Sequence, residues 1–394
     1  MRAKLFKSPF FSEGVFFFFP ICAIYAALMP LIYVVGYGLS FPASDYIVPQ
    51  QWHGHEMIFG FFSSALAGFL TSAVAEWTDT KPVHGKALFL LFILWLPARL
   101  IGLFGIDHLM IVASFFDFSF LILLLFLILK PIIKKRQTRA VSFAIWLIIL
   151  IIVEFCLKWA WWHEDVLLAS RALNSEILVF VILFSLSLSR IHIVVVNLAL
   201  DPSGKSSPYR PHPGRRNLAA FLTAFYGVVA FFLPDSMMQY YLAFAAAAAF
   251  FDRLAEWFIG RAVFKTEILC LFMANLSAGL GLLLIGLSGF YPSISPYLGL
   301  HVLTILTLGL AVIAVLIIAG LRHSGRDLTI IPWQAKLSIW AICLAGIMRV
   351  LPQLIDGFPF AHYQYMMSSL FWSAAFILWL FAYVPLLRHP LHHP

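Results

Sequence analysis

The stretch Trp52-His53-Gly54-His55-Glu56 concentrates more chemistry than any other five residues of the chain. Imidazoles bind iron, copper and zinc, and a carboxylate can add to such a ligand set. On a helix His53 and Glu56 share a face, whereas His55 points about 200° away from His53. One ion can therefore take His53 or His55 from this segment, with further ligands from elsewhere. Both could reach one ion only if residues 52–54 are not yet helical. The competing reading is a set of interfacial polar residues, with Glu56 favoured by the positive end of a helix.

Two other histidines qualify. His301 lies in Leu300-His301-Val302-Leu303-Thr304, and His323 lies between Arg322 and Arg326 in Arg322-His323-Ser324-Gly325-Arg326. Twenty-two residues of continuous helix separate the two by roughly 33 Å at 1.5 Å per residue, so they cannot share a metal ion or a haem iron. His323 with its arginines could bind a phosphate or a haem carboxylate, because Arg pairs with carboxylates bidentately. The alternative is a basic anchor among lipid headgroups. The tail Arg388–Pro394 is also rich in His, which can scavenge metal without a function.

These residues must be carried by a membrane protein. Of 394 residues, 62% are apolar and 11% charged, against about 45–50% and about 25% in soluble domains. That composition excludes a soluble enzyme, a disulfide scaffold and a disordered chain, and 40 Phe suit lipid contact. The four cysteines lie in apolar runs without a CxxC pair, so free thiols are expected. Twelve apolar runs approach the roughly 20 residues a span needs. They lie at 15–37, 54–76, 86–106, 108–130, 141–162, 173–198, 218–234, 237–259, 267–289, 298–321, 333–352 and 363–387. The predicted fold is all-α, a polytopic bundle of about twelve helices in two groups of six. Residues 1–200 form the first half, 201–217 a basic linker and 218–394 the second half.

The net charge of +8 points to cytoplasmic loops rather than to nucleic acid. Twelve spans put 20 of the 26 Lys and Arg, with both termini and the linker, on one side. The other side carries only Lys158 and Arg171. Both ends are thus expected in the cytoplasm, and His53, His55 and His301 at the outer face. Within the spans, Arg99, Arg190, Arg253 and Arg349 are expected to pair with, or line a polar interior beside, Asp117, Glu154, Glu176, Asp252 and Glu256. Asp252 and Glu256 would share a helix face. The chain has no Gly-rich phosphate loop, GxSxG, CxxCH or HExxH, and its one His-His pair is in the tail, which argues against a haem–copper oxidase.

The run Trp52-His53-Gly54-His55-Glu56-Met57-Ile58-Phe59-Gly60-Phe61 resembles the WHxHEMxFGF signature of the NnrS family. Ala67-Gly68-Phe69-Leu70, Trp77-Thr78, Trp95 with Arg99, His301-Val302-Leu303-Thr304, Arg322-His323-Ser324-Gly325-Arg326 and Arg349-Val350 continue the likeness. The resemblance implies a twelve-helix bacterial inner-membrane protein that contains haem and copper and acts in the response to nitric oxide. It makes His53, His55, His301 and His323 the positions to watch, without saying which ligand goes to which metal; the expected sites are a metal at His53, His55 and His301 and a haem at His323 with Arg322 or Arg326 on a propionate. The chain departs from the family pattern at Ser189–Asn197, where an Arg is missing and His192 is added, and at Phe272 or Met273, where a His is often seen. A second class of function fits the same layout: a secondary transporter holding its substrate between two six-helix halves.

Overall fold

The computed structural model describes residue 6, residues 8–37 and residues 44–391. The basic residues Arg2, Lys4 and Lys7 and the tail residues His392 and His393 lie outside them. Among the described residues there is no strand, and twelve helices of sixteen residues or more follow one another. They are α1 (Gly14–Tyr37), α2 (Pro49–Thr78), α3 (Lys86–Leu103), α4 (Met110–Lys134), α5 (Val141–Trp162), α6 (Val166–Leu200), α7 (Pro213–Phe232), α8 (Met238–Arg253), α9 (Thr266–Ser288), α10 (Pro296–His323), α11 (Trp333–Val350) and α12 (Gln364–Arg388). All but α7 and α8 are long and apolar enough to cross a bilayer, so the chain is a multi-pass membrane protein and a polytopic helical bundle.

Helix ends differ from the sequence expectation where capping decides them. α6 starts seven residues earlier than 173, because Asp165 accepts the N–H of Leu168 at 2.8 Å. α7 starts at Pro213, where proline needs no hydrogen-bond donor and His212 accepts the N–H of Gly214. α8 stops at Arg253 and tightens into a 3₁₀ turn over Leu254–Trp257. Asp252 and Glu256 therefore do not share an α-helical face. Asp252 pairs with Arg215 at 3.0 Å instead.

The chain gathers into two compact units. The first comprises Met1–Glu176, Ala319–Arg326 and Phe376–Pro394. Its core is aromatic: Phe16, Phe18, Phe19, Phe61, Phe62, Trp379 and Tyr383 are essentially inaccessible. Phe61 meets Phe376 edge-on at 5.1 Å. Phenylalanine thus serves the interior here, although Phe115 and Phe126 also stay exposed on α4. The second unit comprises Ile177–Ile318 and Asp327–Ala375. In it α9 and α10 touch backbone to backbone, because a Cβ on Gly299 would stand 2.4 Å from the carbonyl oxygen of Gly281. Small residues permit such approach between membrane helices. All four cysteines are free.

Candidate functional site

The start of α2 decides which histidine enters the interior. Pro49 occupies the first turn, and the segment Pro49–His55 is regular α-helix. His53 and His55 therefore diverge and do not converge on one point. His53 stacks on Tyr33 of α1, with ring centroids 4.1 Å apart and planes 15° apart. His55 is buried, sandwiched between Phe59 at 4.9 Å and Trp161 at 5.1 Å. Gln51 holds this turn in place: its amide donates to Val166 O and Ser170 Oγ, both at 2.9 Å, and it accepts from Trp161 Nε1 at 3.0 Å.

Around His55 lies a network of buried charges from α1 to α6. Nδ1 of His55 faces Glu56 Oε1 at 3.3 Å, and Nε2 faces Glu154 Oε1 at 3.2 Å. Asp117 Oδ2 is 3.8 Å from Nε2. Lys158 Nζ stands 3.1 Å from His55 Nε2, 2.9 Å from Asp117 Oδ2 and 3.1 Å from Glu154 Oε1. Arg99 binds Asp117 at 2.5 Å and approaches Glu56 at 3.5 Å. The hydroxyl of Tyr25 donates to Glu56. Glu176 is fully buried beside Glu154.

Local geometry of α2 makes this possible. Directly after His55 the helix widens to a π-turn over Glu56–Phe62, a distortion frequent at functional sites. The carbonyls it leaves are taken up by Trp95, whose Nε1 donates to Phe59 O at 3.3 Å and Gly60 O at 3.1 Å. Gly60 is required for the approach of Tyr25, since a Cβ there would lie 2.1 Å from the Tyr25 ring. A second π-turn, Val302–Leu308, follows His301 in α10.

The charges do not cancel. Four carboxylates (Glu56, Asp117, Glu154, Glu176) meet two fixed cations (Arg99, Lys158), all buried. Uncompensated charge at such depth costs several kcal/mol per ion, so the network calls for protons or a further cation. Glu154 and Glu176 face each other as a hydrogen-bonded carboxyl pair, which requires a proton on one of them. The ligand atoms of His55, Asp117 and Glu154 all lie within 4.8 Å of one another, a spacing that one metal ion can bridge. The adjoining cavity measures about 40 Å³. That holds an ion or a water, whose share of liquid volume is about 30 Å³, and it does not hold a porphyrin.

The remaining expected residues have other surroundings. His301 directs Nδ1 to Tyr297 O at 2.6 Å, which makes that nitrogen the donor and leaves Nε2 as the acceptor, and Arg349 is its charged neighbour. His323 directs Nδ1 to Glu13 Oε2 at 2.7 Å. Arg322 pairs with Glu76, and Arg326 donates to His389 O at 3.4 Å. Of the intramembrane arginines, Arg99 pairs with carboxylates as expected, whereas Arg253 donates to Ser185 at 2.6 Å and Ser189 at 3.3 Å.

Lys158 corrects the charge reading. Counted among the few basic residues of the outer side, it is 4% exposed and sits at the centre of the buried network. Asp117, Glu154 and Glu176 were legible only as isolated acids within spans. The signal available for Lys158 was its i, i+4 spacing from Glu154 on one face of α5. A family model described as NnrS protein matches residues 9–390. No curated protein matches the chain.

Proposed function

We propose, for a chain that belongs to the NnrS family, that it binds a transition-metal ion through His55, Asp117 and Glu154 and serves the response to nitric oxide. The observation that carries this reading is the buried approach of the three ligand atoms in a network with more carboxyl groups than fixed cations. One imidazole and two carboxylates suit a divalent ion such as copper(II) or iron(II). The bound metal would supply a coordination position for nitric oxide. The protein's own residues do the rest. Glu56 takes Nδ1 of His55 and orients the ring, as partners of metal-bound imidazoles do. Arg99 holds Asp117 and Glu56, and Phe59 and Trp161 fix the imidazole plane. Lys158 occupies the cation position and must lose its proton or move aside for the metal. The stacking of His53 on Tyr33 argues against His53 as a ligand of this ion, and His301, with Nε2 left over, is a candidate ligand within its own unit.

Haem, implied by the family resemblance, does not fit the cavity at His55. His323 would be the residue to hold a haem iron, through the Nε2 that the carboxylate of Glu13 on Nδ1 leaves over, and Arg326 would be the guanidinium for a haem carboxylate. The family supports a bacterial inner-membrane location, and the charge asymmetry of the loops supports both ends cytoplasmic. A reporter fused after residue 208 and active only in the periplasm would overturn that orientation.

Metal analysis of the full-length protein purified from copper-supplemented and iron-supplemented cells tests the site. Wild type and His53→Ala are expected to retain the metal, and His55→Ala to lose it. Retention by His55→Ala, or metal-free wild type that moves a substrate across vesicles, refutes the reading and favours a transporter.

A further inference from the structure

Beyond Leu200 the chain enters the polar linker, which in the second unit folds back onto the helix it has just left. Asp201 accepts the N–H and hydroxyl of Ser203 at 3.0 and 2.6 Å and those of Ser206 at 2.8 and 2.7 Å. Asn197 accepts the N–H of Tyr209 at 2.8 Å and donates to its carbonyl at 3.2 Å. The Tyr209 hydroxyl meets Nδ1 of His192 at 3.2 Å, and the His192 ring stacks on Trp257 at 3.8 Å. The linker is thus tied to α6 at both ends of an arch.

Beneath the arch lies a cavity of about 410 Å³ whose wall includes Tyr209, Arg210, Arg216, Asn197, Ile193 and Glu256. This volume is within the range of small-molecule sites. The first turn of α7 borders it, but Pro213 has no N–H and the N–H groups of Gly214 and Arg215 are taken by His212, so the positive wall is the arginine side chains. Arg216 donates to its neighbour Asn217 at 3.3 Å and is a charged neighbour of Glu256, while the adjacent Arg215 is engaged by Asp252. The opposite sign is also present. Glu256 is 8% exposed, and its Oε1 accepts no hydrogen bond. The guanidinium of Arg253, one turn before it, is a charged neighbour, as are Arg215 and Arg216, but its hydrogen bonds go to the hydroxyls of Ser185 and Ser189.

A bare anion would satisfy the arginines but would stand against Glu256. A ligand with a phosphate at one end and an ammonium at the other satisfies both walls. Ile193, 38% exposed at the edge of α6, offers an apolar rim for attached carbon chains. We propose that this cavity binds a phosphoethanolamine group, with the phosphate on Arg210 and Arg216 and the ammonium on Glu256. The group arrives as a phospholipid headgroup or as the free phosphomonoester.

Calorimetric titration of the delipidated full-length protein in detergent tests the assignment. The probes are dihexanoyl phosphatidylethanolamine, O-phosphoethanolamine, dihexanoyl phosphatidylglycerol and inorganic phosphate. Saturable binding of an ethanolamine probe is expected, about tenfold tighter than phosphatidylglycerol or phosphate. Binding of the lipid alone assigns the lipid source, and binding of both ethanolamine probes assigns the free compound. Glu256→Gln is expected to abolish the preference for ethanolamine over glycerol, and Arg210→Gln, on an exposed residue, to weaken every probe. The assignment fails if neither ethanolamine probe saturates, if inorganic phosphate binds equally well, or if Arg210→Gln binds like wild type.

Discussion

The ammonium of Lys158 stands 3.1 Å from Nε2 of His55, on the side where His55, Asp117 and Glu154 bring their ligand atoms together. A lysine so placed is an internal counter-ion, and it competes with any metal for the same three groups. Its ammonium also lies over the Trp161 ring, 4.7 Å from the centroid.

Lys158→Met therefore separates the two uses of the network. Removing the competing charge leaves Arg99 alone against four buried carboxylates, so divalent metal is expected to bind at least about tenfold more tightly, equivalent to about 1.4 kcal/mol. Without metal the variant is expected to melt lower, because breaking a buried ion pair costs about 3–5 kcal/mol. Thermal melts with and without added copper(II) or iron(II) read both effects. A variant that is destabilised and gains nothing from either metal would make the network purely structural.

Gly60→Ala tests the coupling between the π-turn and the site. The new Cβ would fall 2.1 Å from the Tyr25 ring, so the ring must move and its hydroxyl must leave Glu56. Overpacking of this kind costs about 1–3 kcal/mol. The melting temperature should fall, and Tyr25→Phe should reproduce the change in metal affinity without the packing loss. Equal metal affinity in both variants and wild type would show that Tyr25 does not tune Glu56.

The His323 end is open to a paired comparison. His323→Ala is expected to lose haem, and Glu13→Gln to keep it with an altered spectrum, because a neutral amide supports the imidazole less strongly than a carboxylate does. Absorption spectra of the purified proteins decide this. Full haem content in His323→Ala would leave His323 as a partner for Glu13 and place the iron elsewhere.

Asp201 gives a pH signature outside the membrane. Hydrogen bonds from Ser203 and Ser206 hold its carboxyl at about 2, below the ordinary 3.8. A lowered value means that the turn gains stability above about 3.8 and loses it as the pH falls toward 2. The linker should resist proteolysis evenly from neutral pH down to about 4. Asp201→Asn should be cleaved faster near residues 203–207 at pH 7. Equal cleavage of the two proteins would show that the turn does not depend on this carboxylate.

The membrane class and ten of the spans were determined by composition and run length, because a bilayer demands about 20 apolar residues whatever the tertiary arrangement. The candidate status of His55 was legible in the motif, and the divergence of His53 from it followed from helical geometry alone. Which of the two faces inward was not. That choice depends on what α5 and α6 present to the start of α2, namely Trp161, Val166 and Ser170. The partners of His55 are 62 and 99 residues away in the chain. No local pattern couples such positions, and only the packing of helices brings them within hydrogen-bond reach. Lys158 shows the limit most directly. One lysine near a span end reads as a topological charge by sequence, yet the side chain turns inward, where Asp117, Glu154 and His55 surround its ammonium at 2.9–3.1 Å.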